Sequence, residues 1–186
     1  MDNTRYSPYS FLITIVMLTI SSAAALADDR RTVMAGDFDE DVYIAGEDVT
    51  VNARVAGDVL AAGGHVLIDN FVGGDVAAAG GQVEVAAHVE DDVRAAGGQV
   101  RLDGHILGDA IAAGGHVRLA PDAMVGGRAW LAGGTIEVDG GVMGELRAAG
   151  NEVIISGAVD GDVRVYAKTL KVLPGARIAG RLDYYG

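Results

Sequence analysis

The chain has 186 residues, half of them hydrophobic, with 28 glycines, no cysteine and a formal net charge of −12. The lack of cysteine excludes disulfides, zinc–thiolate centres and thiol nucleophiles together. So acidic a chain repels nucleic acid and anionic lipid headgroups, so no nucleic-acid partner is expected. Aromatic residues make up only 5%, so the core has to come from Val, Ile, Leu and Ala in what is, by length, one domain.

The N-terminus reads as a separate object. Arg5 precedes a strongly apolar stretch from Phe11 to Ile20, and "ALA" precedes "DD". A short apolar run ending in small-x-small is the pattern of a secretory signal. Residues 1–27 are therefore assigned as a signal peptide cut after Ala27. The expected location is the periplasm, the cell envelope or the exterior. An uncleaved inner-membrane anchor is the alternative, and the only route by which a membrane would be a partner. The apolar stretch is short for it, since a spanning helix needs about 20 residues. Residues 28–39 follow as a short lead with a partial first turn, "VMAGDFD".

From residue 40 to residue 183 the chain repeats. Aligned on "GDV", eight segments follow one another, from "EDVYIAGEDVTVNARVA" through "GDVAAAGGQVEVAAHVE" and "DDVRAAGGQVRLDGHIL" to "GDVRVYAKTLKVLPGARIA". Six have 17 residues, and two have 19 through insertions beside Pro121 and Pro174. Residues 184–186 close the chain as a stub. Read down columns, Val42, Val59, Val76 and Val93 share one position, and Val49, Val66, Val83 and Val100 another. Val55, Val72, Val89 and Ile106 share a third. Within each segment apolar positions alternate, which is strand periodicity. Glycines fall between segments, where corners need positive φ or close approach.

The pattern predicts an all-β fold: a single-stranded parallel β-helix of about eight turns of about 17 residues, three short strands per turn. Strand spacing makes it about 40 Å long. The Ala-lined and Val/Ile/Leu-lined faces imply a small, triangular cross-section. One turn cannot bury its own apolar side, so stability comes from stacked neighbours.

Candidate chemistry is sparse. Asp41, Asp58, Asp75, Asp92, Asp109, Glu145 and Asp162 form one column, interrupted by Arg128. Either divalent cations bind along this edge, or each carboxylate accepts hydrogen bonds from corner N–H groups. The second is expected, because the calcium-binding phrase GGxGxDxUx with its nine-residue period is absent. His65 and His116 share one outward column, and His88 and His105 another. Two imidazoles without a third ligand argue for surface residues rather than a metal site. No insertion builds a pocket, and no nucleophile stands beside a base. No catalytic, cofactor or metal residues are therefore assigned, and the chain is not expected to be an enzyme. Glu84 beside Arg101 and Arg118 beside Glu137 are expected cross-turn pairs. Ile111 and Trp130 are apolar on an outward column and are the candidate lateral contact.

The restarting "GDV", the three inward columns and the phrases "LAPDAMVGG" and "VLPGARIAG" make the chain resemble the bactofilins from about Asp41 to Asp183. That resemblance implies a right-handed β-helix that assembles end to end without nucleotide or metal, as a scaffold. Bactofilins are typically cytoplasmic with polar tails, whereas this chain carries an export signal and almost no C-terminal tail. The expected function is thus an exported, self-assembling structural protein whose main partner is itself. Phe38, Val42 and Ile44 at one end and Leu182, Tyr184 and Tyr185 at the other are the candidate polymer interface, because solenoid ends expose unpaired strand edges. A rigid binding module for cell-wall polysaccharide or an envelope protein is the alternative. A hexapeptide-type acyltransferase is the remote one.

Overall fold

The computed structural model describes residues 31–186. The signal segment assigned to residues 1–27 lies outside the described residues. Among them every regular element is a strand. β1 (Arg31–Phe38) precedes two long strands, β2 (Val42–Val55) and β3 (Val59–Val72). A long and a short strand then alternate. They are β4 (Val76–Val85) and β5 (His88–Val89), β6 (Val93–Leu102) and β7 (His105–Ile106), and β8 (Ala110–Leu119) and β9 (Met124–Val125). They continue as β10 (Ala129–Val138) and β11 (Gly141–Val142), β12 (Leu146–Ile155) and β13 (Ala158–Val159), and β14 (Val163–Val172) and β15 (Arg177–Ile178). β16 (Leu182–Tyr185) is last. All belong to one sheet, and every pairing is parallel.

The register is the repeat itself. Val59 pairs with Val76, Val76 with Val93, and Val93 with Ala110, each one coil apart. Eight coils between Glu40 and Ala179 are stacked this way, with β1 as a partial coil before them and β16 as one after. The expected parallel β-solenoid is the fold observed. Its interior is wholly apolar: Val51, Ile68, Val85, Leu102, Val138 and Ile155 in one column are buried, and no polar residue is buried among the described residues.

One local feature differs from the expected three strands per coil. From β4 onward the first two run together as one 10-residue strand and only the third face is a separate two-residue strand, while in β2 and β3 all three faces form one 14-residue strand. The reason is the first glycine of each "GG". Gly63, Gly80, Gly97 and Gly114 keep their ladder positions, so pairing runs through the bend. These glycines do not adopt positive φ; among the described residues only Gly36 and Gly175 do, with Asn70 the one non-glycine. They are needed for close approach. A Cβ on Gly97 would lie 2.7 Å from the Gly80 carbonyl oxygen one coil away.

The two-residue insertions are turns. Ala123 N–H donates to the Ala120 carbonyl at 3.0 Å, and Ala176 N–H to that of Leu173 at 3.1 Å. Pro121 and Pro174 preset φ at the second turn position. Gly175 takes the positive φ of 105° that a type II turn needs at the third.

Candidate assembly surfaces

The acidic column sits at the corner that begins each coil. Each Asp carboxylate of the column takes the backbone N–H of the next rung. Asp41 Oδ1 accepts from Asp58 N at 3.0 Å, Asp58 from Asp75 at 2.8 Å, Asp75 from Asp92 at 3.0 Å, and Asp92 from Asp109 at 2.8 Å. Asp109 accepts from Arg128 N at 2.7 Å, and Asp162 from Arg181 N at 2.8 Å. The ladder thus satisfies corner donors that the strands cannot reach. Like charges one rung apart repel, and guanidinium groups offset this. Arg94 bridges Asp75 at 2.8 Å and Asp92 at 2.9 Å. Arg128 pairs with Asp109 at 2.6 Å, and Arg147 with Glu145 at 2.9 Å. Oxygens of Asp75, Asp91 and Asp92 lie within 4.8 Å of one another, but Arg94 already occupies two of the three. Asp92→Ala is expected to cost about 1–3 kcal/mol, since it strands the Asp109 N–H and removes one of the two carboxylates that Arg94 bridges. Asp92→Asn, which keeps an acceptor, should cost less; equal losses in urea unfolding would contradict the capping role.

Arg128 holds the Asp109 carboxyl below the usual carboxylate range through its hydrogen bonds. Arg147 does the same for Glu145. A carboxyl depressed in the folded state stabilises the fold above its unfolded pKa, and this is lost as pH falls through the folded value. Relief of the net negative charge acts in the opposite sense over the same range, so the readout is a difference. The stability gap between wild type and Arg128→Gln should be largest at neutral pH and shrink progressively below about pH 4. A gap independent of pH would contradict it.

The broad faces carry the expected pairs: Arg101 with Glu84 at 3.5 Å and Arg118 with Glu137 at 3.4 Å. Arg101 and Arg118 are themselves neighbours in register. They diverge, Arg101 to Asp103 at 2.7 Å and Arg118 to Asp139 at 2.8 Å. The histidines are also engaged. His65 Nδ1 lies 2.8 Å from Asp48, and His88 stacks on Phe71 with Nε2 3.2 Å from Glu90. His88 and His105 rings are 6.3 Å apart.

Ile111 and Trp130 are register neighbours, as the lateral patch requires. Both are half-buried rather than fully exposed. The guanidinium carbons of Arg128 and Arg147 each lie 5.3 Å from the Trp130 ring centroid, so cation–π contacts cover part of its apolar surface. Trp130 Nε1 is buried without an acceptor among the described residues.

The ends differ from the interior. Inward columns stay buried until the last coil and then open. Ile155 is fully buried, but Val172, its register partner, is 46% exposed. Leu146 and Val163 are fully buried, but Leu182 in the same column is 40% exposed. Tyr184 follows buried Val165 in its column and is exposed, and Tyr185 is exposed with its ring stacked 4.7 Å from Tyr166. At the other end Met34 and Phe38 are half-buried against the core. Val42 and Ile44 point inward and are buried, so what they offer is the backbone edge of Val42–Ala45. Among the described residues β1 covers only Asp48–Val55 of β2 and leaves that edge open. Leu182, Tyr184 and Tyr185, named from sequence, are exposed at this end, and so are Val172 and Leu173, which the repeat pattern alone does not single out.

A parallel β-solenoid with an all-apolar core among the described residues is a solenoid repeat protein. The bactofilin family model, described as polymer-forming cytoskeletal, matches residues 83–183. That is more than half of the chain, and the chain belongs to this family of structural, polymer-forming proteins. Comparison with curated proteins and with solved structures gave no match.

Proposed function

We propose that this chain is an exported scaffold that polymerises end to end through its terminal coils in the cell envelope. One observation carries this: core columns buried throughout the solenoid are exposed at its last coil, at Val172, Leu182 and Tyr184. An edge of unpaired strand with a cross-section of core beneath it is a template for another copy. The family's polymer-forming description supports assembly, and the signal-like residues 1–27 support export. No substrate chemistry is invoked; the activity is the polymer's shape and stiffness.

Negative-stain microscopy and sedimentation of the chain from Asp28 to Gly186 test assembly. Long thin filaments are expected, and a monodisperse monomer at high concentration in several salts would contradict it. Cell fractionation with N-terminal sequencing tests export: an envelope protein starting at Asp28 is expected, and an intact cytoplasmic chain would contradict it.

A further inference from the structure

The outer side of the second face carries a trough of about 390 Å³, within the range of about 300–1,000 Å³ typical of ligand sites. One wall is the ladder His65, Gln82, Gln99 and His116, each in register with the next across the second to fifth coils. The other wall stands two residues further along each strand, at Leu67, Glu84, Arg101 and Arg118. Val66, Val83 and Val100 between the walls are buried inward, so strand backbone forms the floor. By strand geometry the walls are about 7 Å apart and the rungs about 4.8 Å, so the four rungs span about 14 Å.

The lining says what the trough can take. Among the described residues the Gln82 and Gln99 side chains make no hydrogen bond. Two stacked amides thus present donors and acceptors to whatever lies there. The guanidinium groups leave the trough open, because Arg101 leans to Asp103 and Arg118 to Asp139, on the side away from the glutamines. Side-chain pairs close it further along. His116 reaches across to Glu137 at 3.6 Å and Lys171 across to Glu152 at 2.5 Å, whereas among the described residues no such pair crosses at Gln82 or Gln99. The charged lining, Asp48, Glu84, Arg101 and Arg118, sums to zero in a chain of net charge −12. A complementary ligand is therefore uncharged and hydrogen-bonding along its whole length.

From this we infer that the trough binds an uncharged polysaccharide, a β-linked pyranose chain lying parallel to the solenoid axis. Neighbouring sugar hydroxyls pair with a planar amide in both senses, one donating to its oxygen and one accepting from its nitrogen. An extended β-linked chain advances per sugar by close to one coil spacing, so each rung meets one sugar. The run from His65 to His116 then takes four. A peptide strand fits less well, since it needs a free backbone edge or pockets for its side chains. These interior strands are paired on both sides, and Leu67 is the one large apolar group on the walls. The site does not depend on end-to-end assembly, because it lies on a side face of interior coils.

Equilibrium dialysis of the purified chain against two labelled probes, N-acetylglucosamine tetramer and cellotetraose, tests this whether or not the chain polymerises. Saturable binding of one tetramer per chain is expected, with affinity rising from dimer to tetramer and flat beyond. Gln82→Ala/Gln99→Ala should weaken it about tenfold or more, since both amide partners are lost. Both positions are exposed, so the fold tolerates the change, and circular dichroism verifies it. Thr135→Ala, in the same column beyond the His116–Glu137 crossing, should leave binding unchanged. Retention of neither tetramer at millimolar concentration overturns the inference, as does a double variant that binds equally well. Tighter binding of an oligogalacturonate of the same length would overturn the uncharged ligand. A Ser/Asn-rich decapeptide that displaces the tetramer at lower concentration would give the trough to a protein strand and overturn it too.

Discussion

A chain carrying Leu182→Asp and Tyr184→Asp is expected to fold normally and form no filaments. Both residues lie on β16, which pairs with only four residues of β14. Their side chains are 40% and 46% exposed, so the folded monomer leaves the new carboxylates in water and loses little. Assembly changes the balance. Stacking another coil on β16 would bury both positions in columns that hold Val163 and Val165, each fully buried, in the preceding coil. An unpaired carboxylate transferred to such a site costs several kcal/mol or is forced to protonate. Two of them would raise the critical concentration by about three orders of magnitude or more. Melting temperature should shift by a few degrees at most, while pelletable polymer disappears. Filaments that persist would remove these residues from the interface, and a collapsed melting temperature would mean that β16 supports the monomer's fold.

The second large effect concerns the monomer. Gly97→Val places branched carbon where a Cβ would already be 2.7 Å from the Gly80 carbonyl oxygen and 3.2 Å from that of Gln99. Both obstacles are backbone, so no side chain can swing aside. The coils must part locally, breaking the ladder between β4 and β6. The expected loss is about 3 kcal/mol. In a solenoid each coil touches only its neighbours, so a fault at the middle also weakens coupling between the two halves. Urea unfolding should therefore broaden or split into two transitions. Ala96→Gly next to it, which adds no volume, should cost about 0.5–1 kcal/mol and keep one transition. Similar curves for the two variants would contradict a steric role for the glycine column.

The fold was legible because a solenoid writes its register directly into sequence. The inward columns, the corners and the coil count all follow from matching "GDV" to "GDV". The finer geometry was less so. That the first two faces form one continuous strand depends on whether Gly80 keeps its ladder bonds through a bend, and periodicity is silent on that. The acidic column was visible, with two uses open. Its actual role, with each Asp capping the next rung's N–H, depends on where a carboxylate points. Arg94 lay in a column read as ordinary surface, yet it bridges Asp75 and Asp92. Trp130 looked like a free apolar contact, because column reading does not show that Arg128 and Arg147 lie over it. Val42 and Ile44 were read both as inward columns and as part of one end, and the two agree, since a strand's open edge is backbone while its alternate side chains still point inside.

The central claim is that coil stacking continues from one copy into the next along a common axis. Fibre diffraction from aligned polymers of the chain from Asp28 to Gly186 tests it most directly. Strands perpendicular to the solenoid axis should give a sharp reflection at about 4.8 Å on the meridian. Polymers whose 4.8 Å reflection lies on the equator would mean that solenoids lie across the filament, and the account would be wrong.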